Sequence, residues 1–310
     1  MRGGAATMAE RVWVCEARAI LDESGLRVLN QVPMRDRTYL GVGGPAEFLV
    51  EPDDVERLAV LLRRLADAAV PFEYLGAGSN LLVADEGPPF VVIASESLAA
   101  EPRIDGSMVR VGAGYPVPRL VKRLVDASLS GLEFAEGIPG SVGGCVRMNA
   151  GWHEGAFGQA VASLTLIGRH GEVNEMPVVP STFAYRRSPG VGDRFVAAAT
   201  LALAPDDPAR IAERVRGFHD HRVRTQPLGA RNAGCIFRNP EGDHAGRLID
   251  AAGLKGRSIG AAVVSEMHAN FIINRGGATF KDIATLIDTI QEEVLERTGV
   301  RLEPEVARWA

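Results

Sequence analysis

The sequence predicts an α+β protein built from several packed units, on three observations. Its 310 residues exceed what one small core holds. Short apolar runs of strand length are interspersed with amphipathic helical stretches, in no long regular βαβ series. A hydrophobic fraction of 46%, a charged fraction of 24% and a mean hydropathy near zero describe a globular chain, neither disordered nor membrane-embedded.

Along the chain, residues 1–18 read as a mobile tail. Val12-Trp13-Val14-Cys15 is too short for a signal peptide and runs into Glu16 and Arg18. Residues 19–100 form a first unit. Glu47 to Val50 is a strand, and Pro52-Asp53-Asp54 opens a helix to Ala69 with Val55, Leu58, Leu62, Leu65 and Ala66 on one stripe. Pro71 to Leu75 and Phe90 to Ala94 return as strands. Residues 101–225 form a second unit: a strand at Met108 to Val111, a helix at Pro116 to Ala127, strands at Leu164 to Ile167 and Phe195 to Leu203, and a polar helix at Pro208 to Arg224. Residues 226–310 form a third, with a helix at Ala245 to Ala252, strands at Ala262 to Val264 and Phe271 to Ile273, and a helix at Lys281 to Arg297. That last helix carries Ile283, Leu286, Ile287, Ile290, Val294 and Leu295 as its core face.

A net charge of −5 without a dense basic stretch argues against a nucleic-acid partner, and no stretch is long and apolar enough for a bilayer. The three cysteines, Cys15, Cys145 and Cys235, are far apart and in no C-x-x-C pair, which predicts a reducing compartment and no zinc site. His219-Asp220-His221 falls on different sides of a helix and reads as a solvated end, so no metal is predicted.

Gly41-Val42-Gly43-Gly44-Pro45-Ala46 has the letters of a dinucleotide fingerprint, but a strand rather than a helix follows, so the Rossmann reading fails. Gly76-Ala77-Gly78-Ser79-Asn80-Leu81 follows a strand and has the composition of a phosphate cradle, although singly it reads as a tight turn. Gly140-Ser141-Val142-Gly143-Gly144, shortly before Asn149, offers a second set of backbone donors. Two such segments in consecutive units predict one diphosphate held between them.

Taken together, Gly76 to Val83, Gly137 to Gly144, Met148 to Gly151, Tyr185-Arg186, Cys235 to Pro240 and Leu302 to Val306 resemble the UDP-N-acetylenolpyruvoylglucosamine reductase family, in order and spacing, from about Thr38 to Arg308. The resemblance implies two FAD-binding subdomains of the vanillyl-alcohol-oxidase type and a C-terminal substrate-binding domain. It also implies FAD as cofactor, NADPH as co-substrate and reduction of UDP-N-acetylglucosamine enolpyruvate by a cytoplasmic monomer. Lacking a long tyrosine-bearing insertion, the chain resembles the shorter, type II subgroup. By resemblance, Gly76, Ala77, Gly78, Ser79, Asn80, Leu81, Gly140, Ser141, Gly143, Gly144 and Asn149 bind FAD. Arg186 and Glu305 stabilise the enolic intermediate, while Tyr185, Arg238, Asn239 and His268 contact the substrate; His268 reads equally well as a core histidine.

The proton donor of the family is usually a serine, and here that position is Cys235. A thiol with a pKa of about 8.5 is a better acid than an alcohol; outside this motif, a lone cysteine reads as a small buried hydrophobe. Another flavoprotein of the same scaffold, or a non-catalytic relative, stands as the alternative. The Trp152 to Phe157 segment departs from the family pattern.

Overall fold

In the computed structural model, which describes residues 8–152 and 155–310, the apolar spacing after Asp54 does produce a helix. The described residues divide into two compact units, one of residues up to Val32 with Ala46–Ala77 and Pro89–Val215, the other of Pro33–Pro45, Gly78–Pro88 and Arg216–Ala310.

The first unit begins with helix α1, Met8–Asp22. Of residues 1–18, expected as a mobile tail, 1–7 lie outside the described residues and 8–18 lie in this helix. Ala17, Ile20 and Leu21 sit at helical spacing and are buried, and Trp13 meets Phe48 edge-on at 6.3 Å. A four-stranded sheet runs in the order Arg27–Pro33, Pro45–Glu51, Val91–Ala94, Phe72–Leu75. Its last two pairings are parallel, with Leu49 opposite Val92 and Tyr74 opposite Ile93. Helix α2, Val55–Asp67, makes the crossover. Asp54 caps it by accepting the Arg57 N–H at 2.7 Å, and Leu58, Leu61, Leu62 and Leu65 pack on Phe48, Val50, Phe72 and Ile93.

A second, five-stranded antiparallel sheet in the same unit runs Val173–Pro177, Val161–Ile167, Phe195–Ala202, Met108–Gly112, Arg103–Asp105. Helix α3, Val117–Asp126, buries Val117, Leu120, Val121 and Leu124. After it comes α4, Val142–Arg147, where sequence reasoning expected only a glycine-rich loop. Helix α5, Pro208–Thr225, runs from the first unit into the second.

In the second unit, a three-stranded antiparallel sheet of Ser258–Ile259, Ala262–Val264 and Ile272–Asn274 packs with helices α6, Ala245–Ala251, and α7, Phe280–Thr298. Thr279 and Asp282 form a capping box at the start of α7, and Gly299, at φ +72°, ends it. Its stripe Ile283, Leu286, Ile287, Ile290 and Val294 is buried as read, whereas Leu295 is 40% exposed, one step round the helix from the core. The strand Leu81–Val83 pairs in parallel with Ala307–Trp309, so the segment after the first glycine run is bonded to the C-terminal strand. No helix forms at Gly41-Val42-Gly43-Gly44. A Cβ on Gly44 would stand 2.1 Å from the Asp85 carbonyl oxygen, so glycine there serves close backbone packing.

In the first unit, burial opposes ionisation of Glu133. Hydrogen bonds from Arg214 (2.7 Å), the Gly131 N–H (2.9 Å) and the Ser130 hydroxyl (2.8 Å) outweigh it and hold the carboxyl below its usual range. A folded-state value below the unfolded one stabilises the protein above about pH 4.5, and the contribution disappears as pH falls through the folded value. Glu133→Gln should cost about 1–2 kcal/mol at pH 7, discounted for the partly exposed Arg214, and progressively less in acid. Urea unfolding of both proteins from pH 7 to pH 3 measures the difference; a constant gap would contradict this assignment.

Candidate functional site

The two glycine-rich segments, remote in sequence, meet in the first unit. A Cβ on Gly76, just after the Phe72–Leu75 strand, would stand 3.1 Å from Ser141 Oγ and 3.5 Å from Gly144 Cα. Ser141 caps α4, its hydroxyl accepting the Gly144 N–H at 3.4 Å. The N–H groups of Val142 and Gly143 donate to Tyr115 O (3.0 Å) and Ala113 O (2.8 Å). Hence the donors at 142–144, expected to face a ligand, are taken within the fold, because a short helix packed on a strand end has no water to satisfy them. The glycines act by allowing contact: a Cβ on Gly143 would lie 2.8 Å from that of Ala113. Gly140 O accepts the Val117 N–H and so fastens the same turn to α3.

Beside this contact lies a small open cleft of about 40 Å³, with Tyr74, Gly76, Ser95, Gly144, Arg147 and Arg194 in its wall. Among the described residues the buried hydroxyls of Tyr74 and Ser95 have no hydrogen-bond partner, and burial pushes the Tyr74 phenol well above its ordinary range. The two buried hydroxyls suit a ligand that brings hydrogen-bond acceptors, whereas Leu75, Phe195 and Val196 make the rest of the wall apolar and the Arg147 and Arg194 guanidinium groups donate to the Gly192, Arg194, Val191 and Gly190 carbonyls. Sequence reasoning missed Tyr74, Ser95, Arg147 and Arg194; only their convergence marks them.

Gly76 and Ala77 belong to the first unit, and Gly78, Ser79, Asn80 and Leu81 to the second. Gly78, at φ +65°, comes so close to Arg37 that a Cβ would overlap its carbonyl oxygen. The Asn80 side chain donates to Glu305 O at 3.1 Å, the Asn80 backbone carbonyl accepts the Ala307 N–H at 3.1 Å, and Leu81 pairs with Ala307. This half of the expected cradle therefore holds the C-terminal strand. Ser79 is half-buried.

Asn149 sits at φ +41° and is buried. Its amide donates to Ala184 O at 2.9 Å and accepts the Gly158 N–H at 2.9 Å, tying down the loop that carries Tyr185 and Arg186. Ala184 and Arg187 exchange backbone hydrogen bonds of 3.2 and 2.9 Å, leaving Tyr185 and Arg186 at the tip of a two-residue turn. Arg186 has φ +54°, and its guanidinium lies 5.3 Å from the Tyr185 ring centroid. Its Nη1 stands 3.2 Å from where a Cβ on Gly151 would be. Residues 153–154, within the divergent Trp152 to Phe157 segment, lie outside the described residues.

In the second unit, three segments interlock around Ile236 and Phe237. The Glu305 N–H donates to Ile236 O (2.7 Å), and the Arg238 N–H to Glu303 O (2.9 Å). Ile236 N–H donates to Asn270 O at 2.9 Å, and the Asn270 amide makes two bonds to the Phe237 backbone. Half-buried Cys235 and Glu305 are thereby set on hydrogen-bonded neighbouring segments. The Arg238 guanidinium is 3.6 Å from Glu303, and Asn239 Oδ1 accepts the Ala245 N–H at 3.0 Å at the start of α6. His268 Nδ1 accepts the Asn270 N–H at 3.3 Å, its ring meets Phe271 edge-on at 4.8 Å, and burial lowers its pKa. Its Nε2 then carries the proton. Among the described residues no three His, Cys, Asp or Glu side chains form a metal-binding group.

Residues 46–176 match the model of an FAD-binding domain, which makes the chain a flavoprotein oxidoreductase in class. Residues 226–309 match the C-terminal domain of UDP-N-acetylenolpyruvoylglucosamine reductase. The chain is 44% identical over 303 residues to UDP-N-acetylenolpyruvoylglucosamine reductase 2 of Symbiobacterium thermophilum, covering 97% of this chain and 96% of that protein. It is also 44% identical to the Geobacter metallireducens reductase, over 90% and 93% of the two chains. The crystal structure of the Thermus caldophilus reductase superposes with a TM-score of 0.80 at 38% identity, covering 92% of this chain and all of that one. The chain belongs to the UDP-N-acetylenolpyruvoylglucosamine reductase family, FAD-dependent enzymes that use NADPH in making peptidoglycan precursors.

Arg186→Gly should leave the thermal midpoint unlowered, since relief of about 1 kcal/mol of left-handed strain offsets a similar gain in unfolded-chain entropy. Turnover should nevertheless fall by at least about a hundred-fold. Calorimetry with steady-state assay checks both; a destabilised but active variant would show that Arg186 serves the turn alone.

Proposed function

We propose that this chain reduces UDP-N-acetylglucosamine enolpyruvate to UDP-N-acetylmuramate, with Arg186, Cys235 and Glu305 around the enolpyruvyl group. The observation that carries the reading is the hydrogen-bonded adjacency of the Cys235 and Glu305 segments within the region matching the reductase C-terminal domain.

Reduction of an enol ether adds hydride to one alkene carbon and a proton to the other, while negative charge develops on the adjoining carboxylate. FAD, when bound, supplies the hydride after reduction by NADPH. The cleft beside Gly76, Ser141 and Gly144, with the Tyr74 and Ser95 hydroxyls, is the part of this chain that supports binding it. Arg186 holds the substrate carboxylate and offsets its growing charge, a contribution of roughly 3 kcal/mol in comparable sites. Glu305 stabilises the same enolate. Cys235 delivers the proton. Of the three thiols, Cys145 is buried with its pKa pushed up to about 12 and Cys15 is exposed on α1, so Cys235 alone sits on the segments that carry Arg238 and Glu305. Arg238 and Asn239, with Tyr185 and the neutral His268, bind the sugar nucleotide. The reaction runs in the cytoplasm, where NADPH and nucleotide sugars are available, and the chain acts as a monomer.

The purified protein should be yellow, bleached by NADPH and recoloured by UDP-N-acetylglucosamine enolpyruvate. A colourless protein that binds no FAD would falsify the reading. Cys235→Ser should keep turnover within about ten-fold and Cys235→Ala should lose at least about a hundred-fold, the usual share of a general acid; equal activity in all three would remove Cys235 from the mechanism.

A further inference from the structure

Asn270 has no part in the chemistry above, yet its side chain is 2% exposed and fully committed to one peptide segment. Phe237 N–H donates to its Oδ1 at 2.9 Å, and its Nδ2 donates to Phe237 O at 2.8 Å. With the Ile236 N–H on the Asn270 carbonyl, one residue satisfies three of the four backbone groups of Ile236 and Phe237. A planar carboxamide matches the donor and acceptor of a single extended residue as a paired strand would. The other edge of the segment is bonded through Ile236 O to Glu305 N–H and through Arg238 N–H to Glu303 O. Phe237 itself is 1% exposed, so no water replaces a missing partner.

We propose that Asn270 is a positioning residue, clamping the Phe237 backbone so that Cys235, two residues before it, and Glu305, bonded to Ile236, keep a fixed relation to each other. The proposal rests on the reading of Cys235 as the proton donor. Sequence spacing supports a direct effect: Cys235 lies within two residues of the clamp, about 7 Å of extended chain at most. Aspartate keeps the acceptor for Phe237 N–H but turns a second oxygen toward Phe237 O. Leucine leaves both groups unpaired.

The test is Asn270→Asp in a Cys15→Ser background, where buried Cys145 leaves Cys235 as the accessible thiol. Iodoacetamide alkylation of Cys235 should change rate by at least about five-fold relative to the background protein, with no flavin chemistry involved. In stopped flow, bleaching of the flavin by NADPH should change by less than about three-fold, while its recolouring by the enolpyruvyl substrate slows about thirty-fold. Adding Cys235→Ala should shrink that second effect below about three-fold, since the clamp then has no acid to place. Unchanged alkylation, or equal slowing of both half-reactions in both backgrounds, would overturn the proposal and leave Asn270 an ordinary core residue. If the unsubstituted protein is not bleached by NADPH, the functional reading fails, and the alkylation comparison still tests the clamp. If Asn270→Asp does not fold, as judged by circular dichroism, Asn270→Ser carries the same measurements.

Discussion

A buried peptide group must find partners inside the protein, and at Ile236 and Phe237 that requirement organises the second unit. Their N–H and C=O groups are taken by Asn270 on one edge and by the 303–306 segment on the other. Each lost bond there costs about 1–3 kcal/mol, comparable with a large share of the stability of a domain, so the three segments cannot drift independently. In the proposed reaction Cys235, Arg238 and Glu305 are carried on these bonded segments.

The first unit is shaped differently, by omission and by strain. Gly76 and Gly143 let a strand end, a short helix and a neighbouring loop touch where side chains would crowd them. Next to that contact, Tyr74 and Ser95 keep buried hydroxyls unpaired, a cost that a bound polar group would remove. Arg186 stands at φ +54°, where an L-residue costs about 1 kcal/mol, and the Asn149 amide and the Ala184–Arg187 pair hold it there. Strain kept by a surrounding network in this way puts a charge at a turn tip that glycine would otherwise occupy.

Much of the architecture was legible along the chain. Helices α2 and α7 were read from their apolar spacing and caps, and the strands at Glu47 to Val50, Pro71 to Leu75 and Phe195 to Leu203 from short apolar runs bounded by breakers. Helix α1 was missed because its burial depends on Phe48, which lies beyond it in the chain. Helix α4 was missed because glycines disfavour helix locally, and only packing against Ala113 and the Ser141 cap compensates.

What the sequence by itself determined is the set of parts: an α+β chain, two glycine-rich segments, and linked motifs whose family the comparisons bear out. Those are properties of local spacing and of residue identity, which survive without coordinates. Only the tertiary structure decided which glycines meet, that Asn80 and Leu81 hold the C-terminal strand, that Asn149 fastens the Arg186 turn, and that Asn270 clasps Phe237. Each of these is a hydrogen bond or a close approach between residues distant in sequence. Their partners are chosen by how the chain folds back on itself, and no spacing along it records that choice.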